Sequence, residues 1–190
     1  MARSPISALS SAAAARIVAR LKRFTVEVPS WGFADTGTRF GKFTQDAAAI
    51  DLPDKLADAG CVHRFTGITP TVAVHVLWDF PDGFDPAVVK LARRHGVRIG
   101  SVAPNVFQDQ CYKHGSITNR DASIRRRAVR HMIDSVAIGK AIGSRYLSLW
   151  FADGVNYPGQ GDVRQRKNWA AAALKKVHAA MPRSLSLIHI

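Results

Sequence analysis

The chain has 190 residues, 47% hydrophobic and 22% charged, which is enough to bury a full core and too apolar for a disordered chain. Its formal net charge of +13 invites a nucleic-acid reading, but residues 1–26 hold five basic side chains and residues 163–190 hold six, neither stretch has an acid, and only +2 remains between them. No apolar run approaches the roughly 20 residues that span a bilayer, so neither a nucleic-acid nor a membrane partner is expected.

In chain order, an acid-free stretch rich in Ser and Ala predicts a helix from Ser10 or Ser11 to about residue 22. A helix covering the bottom of a barrel accounts for it ahead of an organelle transit peptide, because it runs without a linker into the strand expected at 24–30. After a long polar loop come a helix over about 53–65 and a strand at 71–78. PDGFD then precedes a helix from Pro86 to Arg94, with Asp85 as its cap and His95-Gly96 as its stop. VRIGSVA is the next strand, followed by a second long loop and a helix from Asp121 to Ala141 that ends before Gly143. Its arginines 125, 126, 127 and 130 lie opposite an apolar stripe, as a solvated outer face would place them. RYLSLWF, a third loop and a helix over 163–180 complete the series. Strands alternating with helices of this length imply parallel pairing, with right-handed crossovers that put every long loop on one side. Cys61 and Cys111 stand in unrelated contexts and read as ordinary thiols of a reducing, cytoplasmic setting.

The informative residues cluster where the apolar runs end. Parallel barrel strands are buried along their length and carry chemistry at their C-terminal ends. Trp31, Trp78 and Trp150 each end a predicted strand, and His75 lies three residues before Trp78. One such tryptophan is ordinarily a core cap. Three on one rim suit the C–H face of a sugar, whose hydroxyls then need a few polar groups.

VPSWGFADTGTRFGKF, TPTVAVHVLWDF, NVFQDQCYKHGSITNRDA and AIGKAIGSRYLSLWFADGVNYPGQ together resemble the bacterial L-rhamnose isomerase and sugar isomerase family over about residues 24–182. The resemblance implies an α/β fold of the (β/α)8 TIM-barrel type, here truncated to the first four or five βα units. It also implies a divalent metal, manganese or cobalt, a homo-oligomer (tetramer or dimer), and aldose–ketose interconversion by hydride shift with L-rhamnose as the first candidate. Trp31, Trp78 and Trp150 match positions lining the sugar site, His75 a substrate contact, and Phe40 a residue reaching into a neighbouring subunit's site.

The resemblance divides the chain into a helical extension (1–23), a partial barrel (24–182) and an aberrant tail (183–190) that suggests a truncated gene model. A hydride shift needs a metal held by several carboxylates and a histidine. The chain has fourteen acids, and none follows Asp162. The family's metal ligands lie on later strands, so no metal ligand and no catalytic residue is expected here, and the chain alone is expected to be inactive. Asp79, Asp109 and Asp153 read as loop-capping or pocket-rim carboxylates. LSLIHI takes the place of a fifth strand without the glutamate that strand carries in the family, and His189 is not assigned as a ligand. A ketose epimerase of the same superfamily, a barrel-type endonuclease and a non-catalytic barrel fragment remain as alternatives.

Overall fold

The computed structural model describes residues 10–35, 44–155, 159 and 161–189. Helix α1 (Ser11–Leu21) is capped by Ser10, whose hydroxyl accepts from the Ala13 N–H. It buries none of its residues, and Ile17, Val18 and Leu21 are exposed.

Strand β1 (Glu27–Pro29) is shorter than the apolar run suggests, and the chain turns at once into a 3-10 turn over Ser30–Gly32. Helix α2 (Leu52–Thr66) begins at Asp51, whose carboxylate accepts from the Asp54 N–H at 2.9 Å, and stops at Gly67, whose φ of 70° is the left-handed conformation that glycine adopts freely. Asp51→Ala is expected to cost about 1 kcal/mol, the usual penalty for a lost N-cap, read from the urea midpoint. Strand β2 (Thr71–His75) leads directly into the one-turn helix α3 (Val76–Asp79), so the strand expected to reach 78 ends three residues earlier. Helix α4 (Ala87–Arg94), strand β3 (Arg98–Ala103), helix α5 (Ala122–Ile142), strand β4 (Tyr146–Leu149), helix α6 (Val163–Ala180) and strand β5 (Ser186–His189) follow.

The five strands pair in the order β1-β2-β3-β4-β5, every pair parallel. The closing SLIH segment is a strand, paired with β4 from Tyr146↔Ser186 to Leu149↔His189. One face of the sheet is aliphatic. Val72, Val74, Ile99 and Val102 pack with Leu52, Leu56 and Ala59 of α2 and Val88 and Ala92 of α4. Leu147 and Leu149 pack with Ala128, Met132 and Val136 of α5 and Ala173 and Val177 of α6. Each of the larger aliphatic side chains among them, fully buried, contributes about 1.5–3 kcal/mol. The other face carries Thr71, Ala73, His75, Ser101 and Ala103, whose side chains are small or polar, and Ala73, His75 and Ser101 among them are buried. Among the described residues, no helix is long and apolar enough to cross a membrane.

The β2–β3 register slips by one residue: Val72 faces Ile99 but Val74 faces Val102, so Gly100 and Ser101 together oppose Ala73. This is a β-bulge, which frees backbone groups that must find other partners. The Ser101 N–H donates to the Glu27 carboxylate at 2.9 Å, the Ser101 hydroxyl donates to its other oxygen, and the Ser144 hydroxyl donates to the Gly100 carbonyl.

Candidate functional site

The C-terminal ends of β1, β2 and β3 bring a set of rings together. His75 is buried (3% exposed), and its imidazole stacks on the Trp78 indole with centroids 3.7 Å apart and planes 19° from parallel. Trp31 stands edge-on to both, 5.9 Å from each centroid. Trp150, just past β4 and 39% exposed, joins that group through an intermediary. Phe107 bridges the gap, 5.9 Å from His75, 6.3 Å from Trp78 and 4.5 Å from Trp150. Trp31 is carried by the 3-10 turn and Trp78 by α3, so neither sits on the strand itself. A strand that bends immediately into a helical turn can aim a bulky ring back across the sheet edge. Phe40, the remaining sequence-based candidate, lies outside the described residues.

Polar contacts hold the rings. The Trp78 Nε1–H donates to Gln108 Oε1 at 2.8 Å. Asn105 Oδ1 accepts from the Gln108 N–H at 3.1 Å and shapes the loop that carries both Phe107 and Gln108. The Asn105 N–H donates to His131 Nε2 at 2.9 Å, and burial lowers the His131 pKa, consistent with the neutral form that such an acceptor requires. Neither ring nitrogen of His75 has a hydrogen-bond partner among the described residues. Burial, followed by the His131 and Lys55 charges, lowers its pKa from 6.5 to about 3. At neutral pH His75 is thus an uncharged imidazole with one N–H to donate and one lone pair to offer, enclosed by aromatic faces.

Three carboxylates seen in the sequence have separate roles. Asp153 accepts from the N–H and hydroxyl groups of Ser116 and Thr118, each at 2.8 Å, which caps the loop after β3. Asp109 pairs with Arg127 at 3.2 Å at the surface. Asp79 caps the turn after β2 by accepting from the His75 N–H at 2.7 Å, but it does not stand at a rim. It is buried in an ion pair with Lys55, 2.9 Å from Nζ. Among the described residues no three His, Cys, Asp or Glu side chains come together in a way that could hold a metal ion. The main chain of His189 pairs in β5 opposite Leu149.

The sequence reading missed Phe107 and Lys55. Phe107 lies inside one of the family-like stretches and two residues after a buried asparagine, a signal that could have found it. Lys55 gave none, because its partner is 24 residues away.

No protein-family model matches the chain. Over 171 residues it is 36% identical to a probable sugar isomerase of Mesorhizobium japonicum, covering 87% of this chain and 39% of that protein. A probable sugar isomerase of Rhizobium meliloti is 33% identical, with 87% and 40% covered. A solved D-allulose 3-epimerase from Methylomonas sp., in complex with D-allulose, superimposes with a TM-score of 0.59 at 15% identity, covering 88% of this chain and 51% of that one. The fold is that of the xylose isomerase-like TIM barrels. In such barrels, sites form at the C-terminal ends of the strands, the edge at which the rings gather here. The chain spans about two fifths of the length of the curated relatives it matches.

Proposed function

We propose that this chain supplies the sugar-facing part of an aldose–ketose isomerase, with L-rhamnose as the first candidate substrate. One observation carries the reading: a buried, uncharged imidazole with both nitrogens unpartnered among the described residues lies within a cluster of aromatic rings. Aromatic faces pack against sugar C–H groups, while the imidazole donates to one hydroxyl and accepts from another. Two relatives named as probable sugar isomerases support the same class. Manganese or cobalt, a homo-oligomer (tetramer or dimer) and a cytoplasmic setting belong to this proposal for the parent protein. The chain alone is inactive in this reading.

Titration of L-rhamnose into the purified chain, followed by tryptophan fluorescence, is expected to give a saturable change with Kd on the order of 10 mM, the affinity of a few contacts. Trp150→Ala should weaken it several-fold. A fluorescence signal that stays flat to saturating sugar would remove the proposal. L-rhamnulose formed by the isolated chain with added manganese would overturn its inactivity, and C3 epimerisation of a ketose would move the reading to the epimerase alternative.

A further inference from the structure

We infer that Lys55 is a positioning residue for the ring cluster, acting through Asp79 to set the mutual orientation of Trp31, His75 and Trp78. The inference rests on the reading of that cluster as a sugar site.

The Asp79 carboxylate accepts on both oxygens. Oδ1 accepts from Lys55 Nζ at 2.9 Å, while Oδ2 accepts from the His75 N–H at 2.7 Å and from the Ser30 hydroxyl. Lys55 Nζ also donates to the Trp78 carbonyl at 3.3 Å. Each contact falls on or beside a ring-bearing residue: Ser30 precedes Trp31, the N–H belongs to His75, and the carbonyl belongs to Trp78. One ion pair thus ties the turn after β1, the end of β2 and α3 to a lysine of α2.

Fold stability alone gives little reason for it. Lys55 and Asp79 are 1% and 5% exposed, and taking two charges out of water costs several kcal/mol per ion, so an apolar pair of similar volume is often as stable or more so. Charge-assisted bonds of fixed direction do offer geometry, because they are roughly twice as strong as neutral ones and hold the groups around them in one arrangement. Lys55 also places its positive charge near His75, which opposes protonation of the imidazole.

The test is the double variant Lys55→Met/Asp79→Asn. It removes both charges, so no lone charge is buried, and the amide oxygen introduced by Asp79→Asn can still accept from the His75 N–H. Far-UV circular dichroism is expected to stay at the parent level. The near-UV tryptophan signal should fall by half or more, and the sugar Kd should rise about tenfold. A near-UV spectrum identical to the parent's would overturn the inference and leave the pair with a purely architectural role. If the double variant does not fold, Ser30→Ala decides, because it deletes only the hydroxyl arm. A changed near-UV signal on an intact fold supports positioning, and an unchanged one overturns it. If the parent chain binds no sugar, the proposed function fails while the near-UV comparison still judges Lys55.

Discussion

Lowering the pH from 7 to 4 is expected to destabilise the protein steeply, with His75 as a principal cause. Its pKa in the folded chain is about 3, against 6.5 when unfolded. Between those values the unfolded state binds a proton that the folded state does not, so stability rises with pH across the window and is lost as pH falls. The slope is about 1.4 kcal/mol per pH unit, so the roughly 2.5 units between 6.5 and pH 4 amount to about 3 kcal/mol, a large part of the stability of a marginal domain. His131 adds in the same direction: its lowered pKa comes first from burial, and its Nε2 accepts from the Asn105 N–H, a bond that protonation would break. Urea unfolding at several pH values should show the loss. His75→Phe keeps an aromatic ring against Trp78 but cannot titrate, and it should flatten most of the slope between pH 6 and 4. A variant as acid-sensitive as the parent would show that His75 is not responsible.

The parts of the molecule that could be read from the sequence are those set by local chemistry. Ser10, Asp51, Asp121 and Asp162 each cap a helix by accepting an N–H two or three residues ahead, and Gly67, Gly96 and Gly143 take positive φ where helices stop. Such signals lie within a few neighbouring positions. The parallel sheet followed from the alternation of these helices with apolar runs. Non-local features were hidden. The runs ending in Trp31 and Trp78 looked like strands to their last residue, yet the chain leaves the sheet before each ring, and the Asp79 carboxylate that fixes both turns is paired with a lysine in another helix. Lys55 reads as a solvated helix residue, and only its partner across the fold makes burial tolerable. The ring cluster was partly legible: Trp31, His75 and Trp78 stood out at the ends of apolar runs and their rings meet, while Trp150 joins through Phe107, whose place depends on an Asn105-centred loop.

Glu27 was countable as the chain's one glutamate, but its role depends on a bulge that no residue pattern announces, and this leads to the second large expected effect. Gly100→Ala should destabilise the fold by about 3 kcal/mol, through overpacking and the loss of charge-assisted hydrogen bonds together. A Cβ at position 100 would lie 1.5 Å from Glu27 Oε1, and the Thr71 Cβ at 3.2 Å closes the remaining space. The Glu27 carboxylate would have to leave, which strands the Ser101 N–H that the bulge withholds from the ladder with β2. The cause is separable. Glu27→Ala alone should also destabilise, because the same N–H and the Ser101 hydroxyl lose their acceptor, but Gly100→Ala introduced into Glu27→Ala should cost less than it does in the parent, since only the Thr71 Cβ at 3.2 Å then stands close. A double-mutant cycle in urea should therefore give a coupling energy of at least about 1 kcal/mol. Additive losses would mean that the glycine is required for the bulge itself and that the glutamate merely occupies the space it leaves.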